Sequence, residues 1–365
     1  MKKRIEKTSA WLKRQNAALA FIHSTHNVFY LSSFMCNPHE RLMGLFVFPE
    51  ADPILVCPKL EEENARQSGW EHEILAYDDA ENPWVKIRME LAKRSIGEGA
   101  VVAVEKDHLS VARAEQLRQI IPRIELYPID GYLNELRVLK DEAEIATLQE
   151  AAKLADEAVE VGVNSLGPGV TEMEVVAQIE LAMKKKGVQA MSFATTVLFG
   201  EKSALPHGTP GLRPLKKGEL VLIDLGVIVD GYCSDITRTV AYGQIDEKQR
   251  EIYQTVLKAE TEAIQACKPG VRLGDLDLTA RRVIDEAGYG EYFTHRLGHG
   301  LGIDVHEFPS IHQANDQVLQ EGMVFTIEPG IYLPGVGGVR IEDDVVITKD
   351  GCQVLTRYPK ELIQL

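Results

Sequence analysis

The pattern of apolar and polar positions changes character once along the chain. Up to about residue 130, short apolar runs with strand character recur at Ala17–Ile22, Leu42–Phe48, Ile54–Pro58, Glu73–Tyr77, Val101–Glu105 and Ile124–Pro128. A basic amphipathic helix over Lys3–Gln15 precedes them, and helical patterns at Leu60–Gln67, Pro83–Lys93 and Ser110–Ile120 separate the later ones. Alternation of this kind predicts a small α/β domain. No GxGxxG or phosphate loop follows any of these strands, so nucleotide binding has no support there. Beyond Leu136 a long helical period takes over, Lys140–Val163, with apolar positions at Ile145, Leu148, Leu154, Ala158 and Val161. A boundary near Gly131–Leu136 then gives two domains, 1–132 and 133–365.

The second domain repeats itself. PGVTEMEVVAQIELAMKKKG (168–187) aligns at an offset of 101 with PGVRLGDLDLTARRVIDEAG (269–288). Each reads as a helix opened by a Pro-Gly turn and closed by Gly, and Thr171 with Glu174 forms a capping-box pattern. The strands that follow repeat as well: KGELVLIDLGV (217–227) matches EGMVFTIEPGI (321–331) at an offset of 104, which places Asp224 on Glu328. A pseudo-twofold domain with one carboxylate at matching positions in each half points to a site on the pseudo-axis.

Asp224, Asp235, Glu328 and Glu342 all interrupt apolar, strand-like runs, where a charge is costly unless it is paired or bound to a cation. A turn at Asp230-Gly231 that pairs Val229 with Tyr232 sets Asp235 opposite Gly226, on the face that carries Asp224, with the two Asp Cα atoms roughly 7–8 Å apart. A second hairpin centred on Gly335 sets Glu328 opposite Glu342. One acidic residue in an apolar strand is ordinarily an edge or salt-bridged group. Four of them in two repeat-related hairpins, with the Gly-flanked His299 between, suit two divalent cations. The set is oxygen-rich and free of thiolate, which favours Mn²⁺ or Co²⁺ over a structural zinc. Cys233 shares the face of Asp235 and reads as packing beside the site.

Composition narrows the setting. The 365 residues are 45% hydrophobic and 26% charged, as in a folded globular protein, and the net charge of −15 argues against a nucleic-acid or anionic-membrane surface. No apolar run reaches membrane-spanning length. Five scattered cysteines without a CxxC pair read as reduced thiols, hence a cytoplasmic protein.

The five residues and their Gly-punctuated contexts, LIDLGVIVDGYCSD, HRLGHGLGIDVHE, FTIEPGIY and GVRIEDD, resemble the metallopeptidase family that includes methionine aminopeptidase, aminopeptidase P and proline dipeptidase (prolidase). Their spacings are 11, 64, 29 and 14 residues. The resemblance implies an α/β plus α+β architecture: a small N-terminal creatinase/prolidase-type α/β domain, used for a substrate loop and dimerisation, and a C-terminal pita-bread catalytic domain. Carried over by motif, Asp224 chelates one metal, His299 and Glu328 hold the other, and Asp235 and Glu342 bridge. His207 (in SALPHG) and His306 (in DVHE) contact the scissile peptide and the oxyanion, while Arg340 orients a ligand carboxylate. Two ions are implied, Mn²⁺ first with Co²⁺ or Zn²⁺ as alternatives. The activity implied is cleavage of Xaa-Pro dipeptides in a cytoplasmic homodimer, by a metal-bridging hydroxide with Glu328 shuttling the proton.

The segment Asn37–Arg41 is similar to a loop in the prolidases of lactic acid bacteria, where one subunit projects His and Arg toward its partner's site; this points to His39, Arg41 and also Arg296 as substrate-binding. On residue evidence alone such a loop is usually a solvated turn, and Arg296 reads as a support for Glu342 or Asp304. Ser310 departs from archaeal and mammalian prolidases, which carry arginine there. Aminopeptidase P, acting on longer peptides, is the alternative activity. A creatinase-like or non-catalytic relative is disfavoured by the complete ligand set, and a methionine aminopeptidase by the extra N-terminal domain. His295, His312, His23, His26, His72 and His108 have no pattern that assigns them a role.

Overall fold

The short apolar runs of the N-terminal region pair into one six-stranded sheet, in the order Glu73–Tyr77, Ile54–Pro58, Gly44–Val47, Leu19–Ile22, Val101–Val104, Glu125–Pro128. Gly44–Val47 is antiparallel to both neighbours and the remaining pairings are parallel. The three strands between 19 and 58 are buried at every residue, which is why they read as unbroken apolar runs. The computed structural model describes residues 1–365 and divides into two compact units, Met1–Leu136 and Arg137–Leu365.

Two helices depart from expectation. Thr25–Ser32 is helical although His, Asn, Val, Phe and Tyr are indifferent helix formers. Its start is fixed by Ser24, whose side chain accepts from the Asn27 amide, and by the buried Glu105 carboxylate, which accepts from the Ser24 amide and hydroxyl and from Asn27. Asp130–Val138 is also a helix, so the expected boundary falls inside a helix and not in a linker. It is held there by packing: Leu133 is fully buried and Tyr132 stacks on Trp11 with ring centroids 4.7 Å apart.

In the second unit the repeat is structural. Helices Glu172–Lys185 and Leu273–Glu286 begin 101 residues apart, and the Thr171–Glu174 capping box is formed. The first half packs Val159, Val175 and Ile179 against Val221 and Ile223; the second packs Val256, Leu276 and Ala280 against Phe325 and Ile327. Both hairpins adopt the expected registers. Val229 pairs with Tyr232 through a turn with positive φ at Asp230 (46°) and Gly231 (83°), and Thr237 lies opposite Asp224. Gly330 pairs with Arg340 and Ile327 with Asp343, which leaves Glu328 facing Glu342. No helix is long and apolar enough to cross a membrane.

Candidate metal centre and substrate pocket

The two hairpins deliver their carboxylates to one cavity of about 520 Å³, lined by Asp224, Asp235, His299, Glu328 and Glu342 together with His207, His306, Arg296 and Arg340. Ligating atoms of Asp235, His299 and Glu342 lie within 4.8 Å of one another, and His299 Nε2 is 3.2 Å from Glu328 Oε1 and 3.7 Å from Asp235 Oδ2. His299 can approach because Gly298 precedes it: a Cβ there would meet the Thr326 carbonyl at 1.9 Å.

Three of the four carboxylates are held from behind. Arg340 Nη2 donates to Asp224 Oδ2 at 2.5 Å. Thr237 Oγ1 donates to Glu342 Oε2 at 2.6 Å, Thr326 Oγ1 to Glu328 Oε1 at 3.2 Å, and the Asp235 amide donates to Asp344 Oδ2 at 3.0 Å. At Asp224, Glu328 and Glu342 the hydroxyl and guanidinium partners fix rotamers without adding negative charge, whereas at Asp235 the neighbouring Asp344 carboxylate adds to it.

The electrostatics identify what is wanted there. Burial, compounded by mutual repulsion, pushes the Asp235 and Glu342 carboxyls well above the usual carboxylate range, and burial raises Asp224 even with Arg340 beside it. Glu328 alone is low, at about 2: burial opposes this, but the hydrogen bond and charge of His299 outweigh it. Four carboxylates converge on one guanidinium and one imidazole. Such a set of hard oxygen donors fits divalent cations, which relieve the repulsion. At the rim, burial and the neighbouring His299 and Arg296 lower His306 to about 4, so its imidazole is neutral near pH 7.

The remaining expected residues fall as follows. Cys233 is buried, with its thiol 3.4 Å from the Ile303 carbonyl, a packing position. Arg296 supports neither Glu342 nor Asp304; its Nη1 donates to Ser310 Oγ at 3.1 Å. His39 and Arg41 belong to the N-terminal unit, where Arg41 forks onto Asp79 at 2.8 and 3.1 Å. Sequence reasoning passed over His295 and Tyr332. His295 Nε2 lies 2.8 Å from the Tyr332 hydroxyl, which accepts from Arg340 Nη1 at 2.8 Å, and both line the cavity. Tyr332 could have been found, since it pairs with Gly338 in the hairpin and thus shares a face with Arg340.

Residues 146–349 match metallopeptidase family M24, and residues 4–139 match the creatinase/prolidase N-terminal domain. The chain belongs to family M24. Within it, the chain is 60% identical over 362 residues to the Bacillus subtilis protein named "Putative dipeptidase YkvY", covering 99% of each. Among solved structures it is similar to an Xaa-Pro dipeptidase from Bacillus anthracis (TM-score 0.92, 34% identity, 100% and 99% of the two chains). It is also similar to an X-Pro aminopeptidase from Thermotoga maritima (TM-score 0.89, 30% identity, 99% of each). The pita-bread expectation is therefore met, and this M24 member is a metallopeptidase.

Proposed function

We propose that the protein is an Xaa-Pro dipeptidase working with two divalent cations, Mn²⁺ foremost and Co²⁺ or Zn²⁺ as alternatives. The observation that carries this reading is the convergence of four carboxylates, Asp235 and Glu342 buried and Asp224 and Glu328 largely so, with His299 in a cavity that His207 and His306 also line. Asp224 would hold one ion and His299 with Glu328 the other, with Asp235 and Glu342 available to both. When bound, the ions supply Lewis acidity and a hydroxide nucleophile near neutral pH. That suits a prolyl bond, a tertiary amide without the N–H that many peptidases grip.

The chain's own residues do the rest. Glu328 accepts the nucleophile's proton and passes it to the departing prolyl nitrogen. His306, neutral near pH 7, donates to the oxygen that gains charge, and His207 contacts the scissile peptide. Arg340 keeps Asp224 in one rotamer, and Thr237 does so for Glu342. Arg296, anchored to Ser310, is the cation in the cavity left to meet a substrate carboxylate, because Arg340 is committed to Asp224 and Tyr332. His39 and Arg41 of a partner copy complete that contact in a homodimer. Five free thiols support a reducing, cytoplasmic setting.

One observation favours the second reading. Arg41 is already neutralised by Asp79, and a site without that cation tolerates longer peptides, as an aminopeptidase P does. Turnover of Leu-Pro, Leu-Pro-Pro and a longer Xaa-Pro peptide, each with Mn²⁺, Co²⁺ and Zn²⁺, separates the two. Cleavage confined to Leu-Pro supports the dipeptidase; preference for the longer peptides contradicts it.

A further inference from the structure

Glu172 is the first residue of helix Glu172–Lys185 and is fully buried, far from where a helix-start glutamate ordinarily sits. Its carboxylate has three partners, none of them in its own helix. Oε1 accepts from the Phe199 amide at 2.9 Å; Oε2 accepts from the Gly211 amide at 2.8 Å and from Lys202 Nζ at 2.5 Å. Phe199 ends the strand Thr196–Phe199, and Lys202 lies in the short 3₁₀ turn Gly200–Ala204. Gly211 is where the chain returns. The backbone reinforces that return, since the Met173 amide donates to the Gly211 carbonyl at 3.1 Å. One buried carboxylate thus grips both ends of a single excursion, which lines the cavity with Pro206, His207, Gly208, Thr209 and Pro210, the imidazole being that of His207.

Between those ends the first turn is tied at buried Ser203, whose hydroxyl donates to the Gly200 carbonyl at 2.6 Å and accepts from the Gly338 amide at 2.7 Å; the stretch after it, which carries His207, has less to hold it. Leu205 and His207 are exposed, and the backbone around them is held by bonds from the Leu205 amide to the Lys202 carbonyl (3.1 Å) and from the Gly208 amide to the Leu205 carbonyl (2.9 Å). The other rim histidine is secured differently. The residue after His306, Glu307, is itself gripped by Arg137 and Lys140.

We propose that Glu172 is a positioning residue: by pinning Phe199, Lys202 and Gly211 together it fixes the arc that carries His207 against the reacting peptide. This rests on the role given to His207 above. Charge-assisted bonds to two amides and an ammonium are the strong kind, and placing them in a dry site at a helix start makes the arc's endpoints rigid. Releasing one end lets His207 drift, and misplacement of about 1 Å costs on the order of 100-fold in rate.

The test is a double-mutant cycle in metal-saturated protein with Leu-Pro. Glu172→Gln keeps the volume but turns an amide N–H₂ toward one of the donors. It is expected to lower kcat by about 10- to 100-fold, with KM and metal content little changed, because His207 acts on the reacting peptide. In a His207→Ala background the same substitution should cost nothing further. Lys202→Met, a milder release, should show a smaller loss that also vanishes in that background, and it decides the matter if Glu172→Gln does not fold. A loss that adds in full to that of His207→Ala, or that falls on metal content, overturns the assignment of Glu172 while leaving His207 in place. Unchanged turnover in His207→Ala itself overturns the role of His207, and the Glu172 proposal with it.

Discussion

Glu342 and Asp343 are neighbours in sequence and both are buried, yet they enter opposite charge environments. Asp343 meets Arg238 Nη2 at 2.7 Å, the Thr356 hydroxyl at 2.6 Å and Lys360, which also donates to Glu260 at 2.7 Å. Arg238 spends its remaining donors on the Thr237, Glu342 and Tyr358 carbonyls. Although burial works the other way, those cations hold Asp343 well below the usual carboxylate range. On the other side of the strand, Glu342 joins three carboxylates against a single arginine and is driven well above it. The first cluster is complete as a folded structure, whereas the second is complete only with cations added. A buried acid is a candidate metal ligand when its neighbours leave it uncompensated, not merely because it is buried.

Substitutions on the two sides of the strand should therefore fail in different ways. Glu342→Ala should lower metal occupancy toward one ion per chain and activity by orders of magnitude, with the fold retained. Two tightly held ions in that variant, by elemental analysis, would mean Glu342 does not bridge. His306→Ala should retain its metal and lose about 10²–10³-fold in kcat, the ordinary worth of an oxyanion donor. Arg238→Met should show the reverse signature: about 3–5 kcal/mol of stability lost in urea unfolding, since it strands buried Asp343. Retention of wild-type stability there would dissolve the contrast.

Smaller effects sharpen it. Arg296→Ser and Arg41→Ser should each raise KM for Leu-Pro, because a charge-assisted contact is worth about 1.5–3 kcal/mol. If neither changes KM, the aminopeptidase P reading gains. A further effect is a pH slope. Burial, with Asp343 nearby, raises Glu260 from 4.5 to about 8, so the folded state holds that proton more tightly than the unfolded chain. Stability should thus fall as pH rises from about 4.5 through 8. Glu260→Gln should flatten that part of the slope relative to wild type in parallel melts.

The hairpin registers were legible in the sequence because strand side chains alternate and a positive-φ Asp-Gly turn fixes the pairing, so Asp224, Asp235, Glu328 and Glu342 could be set facing one another. His295 was not legible. Its value lies in the Tyr332 hydroxyl, 37 residues away, and no local pattern encodes such a contact. Glu172 was hidden for a similar reason: as a helix-start acid it looks like a dipole or capping residue, and only folding shows it buried beneath the loop of His207. Helix Asp130–Val138 escaped because tertiary packing of Leu133 and Tyr132, not periodicity, sustains it.

The most direct measurement is a Mn²⁺ titration of metal-free protein, following bound metal and Leu-Pro hydrolysis together. Hydrolysis should be absent at the start and rise to a plateau as two ions bind per chain. Full turnover in protein verified to be metal-free, or saturation without any hydrolysis of Leu-Pro, would contradict the account.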